Sequence, residues 1–184
     1  MTAAIQCDGE AQRALLAGDH DAARSAFAQA ALLYRQSWEV APPTAYGRLV
    51  GMLKSSTLAG GGTSEAEYVL AALPDPDPQS ATASYARGLA ALIAGLDEDA
   101  PMWARRMSAG GDAFARTAAA IAALAGHDAS GFQGALDEIV RDFEQRAEHL
   151  TGVAIADTAL MLEVLAARRG VAVAIESPVL PTLP

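Results

Sequence analysis

Apolar residues recur at a helical period through most of this chain. After Ala23, the residues Ala26, Phe27, Ala30, Ala31 and Tyr34 follow at i+3, i+4, i+7, i+8 and i+11. That spacing puts a stripe of small and aromatic side chains on one helix face, opposite Arg24, Gln29 and Arg35. Gly18 and Asp19 form a turn that separates this helix from a first one over 11–17. Asp19 or Asp21 is placed to cap the second helix by accepting an unpaired backbone N–H. Ala41, Pro42 and Pro43 break the pattern, a helix over 44–59 resumes it, and Gly60, Gly61 and Gly62 stop it.

A short helix over 64–73 leads into Pro74, Asp75, Pro76, Asp77 and Pro78, where alternating prolines forbid regular structure. The segment 74–78 is the candidate waist of a single domain over 1–184. It divides an N-terminal helical part (1–73) from a C-terminal one (79–184). Beyond it, Tyr85, Leu89, Leu92 and Ile93 mark a helix over 80–94. Asp97, Glu98 and Asp99 before Pro101 read as the start of a helix over 102–107. Phe114, Ala118, Ile121 and Leu124 define the next, ended by Gly126.

The periodicity predicts the longest helix over 130–150, with Phe132, Leu136, Ile139, Phe143, Ala147 and Leu150 on the core side. Acid-first pairs Asp137–Arg141 and Asp142–Arg146 lie opposite. The segment 155–168 is apolar nearly all round, as a centrally buried helix is, with Arg168 and Arg169 at its end and Gly170 as its cap. Residues 171–181 read as an extended apolar tail packed across the bundle.

Composition agrees with this pattern. Hydrophobic types make up 52% of the 184 residues but aromatics only 5%, and alanine about a quarter. Alanine favours helix and lets helices approach closely. The fold class is therefore all-α: antiparallel helical hairpins, about eight to nine helices, in an array or bundle.

The first hairpin resembles a tetratricopeptide (TPR) repeat at the residues that set helix packing. Ala11 stands at the small first-helix position, Gly18 and Asp19 at the turn, and Ala23, Phe27 and Ala30 at the small, aromatic and small positions of the second helix. It departs from that family at Cys7, Glu10 and Arg35, where a tryptophan, a leucine and a proline are favoured. The resemblance implies a TPR-like stack with a concave binding face. The apolar helix over 155–168, Gly170 and the tail through Ser177, Pro178 and Pro181 resemble the C-terminus of some bacterial immunity proteins that neutralise toxins.

Charge and chemistry narrow the function classes. The net charge is −9, from 22 acids against 13 bases, and Lys54 is the one lysine. That balance disfavours a nucleic-acid partner and suits a basic protein. Cys7 alone supports neither a disulfide framework nor a multi-cysteine metal site. No basic leader precedes an apolar run and no apolar run spans a bilayer, so a cytoplasmic protein is expected.

No cofactor or metal motif appears. His20, His127 and His149 lack a second ligand at metal spacing, and Glu144, Glu148 and His149 do not form the Glu-x-x-His pattern. His127, Asp128 and Ser130 contain triad residue types without a nucleophile elbow, and fit better as a turn and a helix cap. The glycines at 60–62 lack the lysine of a phosphate loop.

The residue types that dominate interfaces recur as aromatic and arginine groups: Tyr46 with Arg48, Tyr85 with Arg87, and Trp103 with Arg105 and Arg106. These seven are the candidate partner-binding residues. The leading expectation is a non-enzymatic protein that binds a protein or peptide through one face of the helix stack. The alternatives are an immunity protein acting through an acidic surface, and a small-molecule binder or enzyme with a pocket between helices.

Overall fold

The computed structural model describes residues 1–74, 79–171 and 173–182. Residues 75–78 of the expected waist lie outside the described residues. Nine α-helices form among those described, with no strand. They are α1 (Thr2–Leu16), α2 (His20–Glu39), α3 (Gly47–Leu58), α4 (Thr63–Ala72), α5 (Ala81–Ile93), α6 (Ala100–Met107), α7 (Asp112–Ala125), α8 (Ala129–Glu144) and α9 (Asp157–Arg168). A single 3₁₀ turn, Ser108–Gly110, joins α6 to α7. The all-α expectation holds, and so does the helix number.

Neighbours in sequence pack on one another from α1 to α8, and α3 also lies against α5. The last helix, α9, inserts against α3, α7 and α8. Its all-round apolar sequence has that cause: Ala159, Leu160, Met161, Leu162, Leu165 and Ala166 are all fully buried. The stripe on α2 is the packed one, with Ala23, Phe27, Ala30, Ala31 and Tyr34 buried. Asp19, rather than Asp21, caps α2 by accepting from Ala22 N at 3.1 Å, and Asp128 caps α8 by accepting from Gly131 N at 2.9 Å. Gly18, at φ +75°, supplies the left-handed turn between α1 and α2.

Several boundaries differ from the sequence reading, among them the start of α3, at Gly47 rather than 44, and that of α6, at Ala100 rather than 102. The first helix begins at Thr2, nine residues before the expected 11. Its buried face runs Ala4, Asp8, Ala11, Gln12, Leu15, so two polar residues interrupt the apolar stripe and hide it from a hydrophobic count. The longest predicted helix stops at Glu144 instead of 150. Ala147 and Leu150 are exposed, Leu150 to 77%, and core burial passes instead to Val153 and Ile155 in the connecting segment 145–156. Helix α9 begins at Asp157 rather than 155.

The tail crosses the bundle without regular structure, as its sequence suggests. Val171, Val179 and Leu180 are buried, Ala156 N donates to Val179 O at 2.7 Å, and the Ser177 hydroxyl donates to Glu144 at 2.7 Å. Arg169 anchors its start. Its guanidinium bonds both oxygens of Asp97 at 2.5 and 3.2 Å and the carbonyls of Leu92 and Leu165.

Candidate functional site

A cavity of about 330 Å³ opens between α1, α2, α3, α5, α7, α8 and α9, and the segment 145–156 forms part of its wall. Protein interiors are otherwise close-packed. Here the wall carries charged groups on facing helices.

The inner wall is a buried polar cluster. Asp8, on the core face of α1, is 8% exposed and accepts two hydroxyl hydrogen bonds, from Tyr34 Oη at 2.8 Å and Ser55 Oγ at 2.7 Å. Next to it, Lys54 of α3 pairs with Asp157 in the first turn of α9 at 2.6 Å. Thr158 Oγ1 occupies the other Asp157 oxygen at 3.4 Å. An acid in a helix's first turn also faces the positive end of the helix dipole. Asp8, Lys54, Asp157 and Tyr85 lie close enough to bear on one another's ionisation.

Burial raises the Asp8 carboxyl above the ordinary range, although its two hydroxyl donors and Lys54 act against that. For Lys54 burial opposes the charge, yet Asp157 and, more weakly, Asp8 outweigh it, so the ammonium stays protonated. Burial likewise raises Tyr34 and Tyr85, which remain neutral phenols.

The outer wall is more open. Asp142 of α8 accepts from Arg116 of α7 at 2.6 Å through one oxygen and from Arg146 at 2.5 Å through the other. Arg146 also lies over the Phe143 ring, 3.8 Å from its centroid, and His149 stacks on that ring at 6.2 Å. Thr151 donates a hydroxyl hydrogen bond to Gln12 and so ties the connecting segment to α1. Between the two walls the surface is apolar, through Val50, Phe114, Ile139 and Ile155 among others.

Two polar atoms of this lining, Tyr85 Oη and His149 Nδ1, are buried without a hydrogen-bond partner. Thr158 is near enough to influence the Tyr85 phenol, but it makes no bond of proper geometry with it.

The seven sequence-predicted residues do not form one surface. Tyr85 lies in the cavity wall, while Tyr46 and Arg48 border an adjoining shallow depression with Ser80 and Thr82. Tyr46 packs against Trp38 at 6.1 Å, and Arg48 donates to the Ser37 carbonyl. Arg87 and Arg106 each lie over the Trp103 ring, at 5.0 and 4.8 Å from its centroid. Trp103 is only 5% exposed, because it seals α6 onto α5 where Gly88 admits it: a Cβ at 88 would stand 3.2 Å from the Trp103 Cβ. Arg105 is exposed, and its guanidinium makes no hydrogen bond or ion pair among the described residues.

Asp8, Lys54, Arg116 and Asp157 were not among the predicted residues. The readable signals were Lys54 as a solitary lysine amid apolar α3 and the polar pair Asp8 and Gln12 at helical spacing. Cys7 is half-buried, and burial followed by Glu10 and Asp8 raises its thiol, so it is not activated. No group of three or more His, Cys, Asp or Glu side chains converges to hold a metal among the described residues, and no helix there is long and apolar enough to cross a membrane.

Comparison with known proteins gave no matching family model, no matching curated protein and no matching solved structure.

Proposed function

We propose that this protein is a non-enzymatic small-molecule binder that holds its ligand in the cavity between the helices. One observation carries the reading: the chain's single lysine, only 20% exposed, stands paired with Asp157 and next to buried Asp8 in the wall of an open cavity. Burying a charge is expensive, and packed apolar residues often stabilise a core as well or better. A bundle that needed only to fold would close this space with alanine and leucine. Apolar walls with a few convergent polar groups are the usual make-up of a ligand site, and the volume lies at the small end of that range.

Binding is favoured over catalysis because no free nucleophile or base faces the cavity from this cluster. Lys54 is protonated and therefore not a nucleophile, and Asp8 accepts from two fixed hydroxyls rather than facing the cavity as a free base. A thermal-shift screen of small molecules against the full chain tests the reading. At least one compound class is expected to raise the melting temperature, by an amount corresponding to about 2.7 kcal/mol at a hundredfold excess over Kd. The shift should vanish in Thr82→Trp, which fills the cavity from the first turn of α5. No shift across the library, or a shift that survives in Thr82→Trp, overturns it.

A second reading retains protein or peptide binding. It is supported by exposed Leu32 and Val40 on and just after α2, by the free Arg105 and by the acidic balance of −9. The closely packed Ala11, Ala23 and Ala30 support a TPR-like first hairpin, and the packed tail suits the immunity-protein likeness. Against this reading, Trp103, the strongest candidate anchor, is spent inside the fold. Capture of a partner that Arg105→Ala and Leu32→Ser abolish would favour it over the cavity.

A further inference from the structure

Hydrogen-bond and charge bookkeeping around the cavity specifies the kind of molecule it takes. Every carboxylate oxygen in the wall already accepts a bond from the protein. Asp8 receives Tyr34 and Ser55, Asp157 receives Lys54 and Thr158, and Asp142 receives Arg116 and Arg146. Unspent donors stand beside them. Lys54 makes one of its three hydrogen bonds, and each of the two arginines spends only part of its fork on Asp142. A ligand that brings acceptors can use these donors.

Charge then sorts the two ends. The inner cluster holds one cation, Lys54, against Asp157 and Asp8, so it sums to zero or −1 and repels a further anion. Asp142 leaves the outer pair, Arg116 and Arg146, with an excess of one positive charge. The Arg116 and Arg146 side chains are 24% and 39% exposed, open enough to receive a ligand. The wall between is apolar.

Resting on the reading of the cavity as a ligand site, we propose that the ligand is an apolar-bodied monocarboxylic acid. Its carboxylate sits at Arg116 and Arg146, and an uncharged oxygen acceptor at its far end meets the Lys54 ammonium. Val50, Phe114 and Ile139 flank the body between them.

Calorimetric titration of the full chain with four naphthalene probes tests this. They are 6-methoxy-2-naphthoate, 2-naphthoate lacking the far oxygen, and the neutral alcohol and cationic amine that replace the carboxylate of the first. The methoxy acid is expected to bind at least tenfold more tightly than the alcohol or amine, and more tightly than 2-naphthoate. Arg146→Gln and Arg116→Gln should weaken the acids about tenfold while leaving the alcohol within twofold. The double variant Lys54→Met with Asp157→Leu, which leaves no charge unpaired, should weaken the methoxy acid and leave 2-naphthoate unchanged. If the alcohol or amine binds as well as the acid, or the arginine variants bind it unchanged, the proposed class is wrong and the cavity reading stands. If none of the four binds, both fail.

Discussion

Tyr34 lies flat against the backbone of Gly51: a Cβ at position 51 would stand 2.7 Å from the tyrosine's Cε1 and Cζ. Only glycine at this point of α3 lets α2 approach closely enough for the Tyr34 hydroxyl to reach Asp8 on α1. Three helices thus meet at one hydrogen bond, and the inner wall of the cavity is built on it. Glycine is a poor helix residue, about 1 kcal/mol worse than alanine. Close approach is what it provides here.

Gly51→Ala is therefore expected to destabilise, despite the gain in helix propensity, by about 1–3 kcal/mol from overpacking. Urea denaturation measures it. In the background Tyr34→Ala, where the clash is gone, the same change should be neutral or stabilising. A Gly51→Ala protein as stable as the parent would show that the tyrosine does not lie where described.

Lys54 and Asp157 should behave as a pair. Removing one partner leaves the other charge in a sheltered site, so Lys54→Met or Asp157→Leu is expected to cost about 2–3 kcal/mol, somewhat below a fully buried pair. Joined as a double variant, they should cost less than the sum of the two. A double-mutant cycle in chemical denaturation reads this directly, and simple additivity would mean that the 2.6 Å contact contributes nothing.

Glu163 on α9 predicts a pH effect. Burial pushes its carboxyl from 4.5 up to about 7. Between those values the folded state holds a proton that the unfolded chain has released, so stability falls as pH rises through this window. The slope from this group is at most about 1.4 kcal/mol per pH unit. Glu163→Gln should flatten the dependence between pH 4.5 and 7 and make the protein more stable than the parent at pH 8. Parallel stability–pH curves for the two proteins would refute it.

The segment after α8 gives a contrast within a few residues. Leu150→Ser, at an exposed position, should change stability by less than about 0.5 kcal/mol. Ile155→Ala, at 2% exposure, should cost about 2–5 kcal/mol. Thermal melts of the two variants check the boundary at Glu144. Equal costs would restore the longer helix that the periodicity suggests.

The chain's own pattern determined most of the helices: the stripe of α2, a cap for it at Asp19 or Asp21 and one for α8 at Asp128 or Ser130, and the central place of the all-apolar α9. These are local matters of propensity, period and capping, and each leaves its mark within a dozen residues. Tertiary structure alone decided that Asp8, Lys54, Asp157 and Arg116 line one cavity, since they come from four helices up to 149 positions apart. It also turned Trp103 and Tyr85 inward and ended α8 early. The physical reason is that polar groups become a site only when the packing of distant helices removes water from around them. The same polar residues broke the apolar stripe of α1 and hid its first nine residues from a hydrophobic reading.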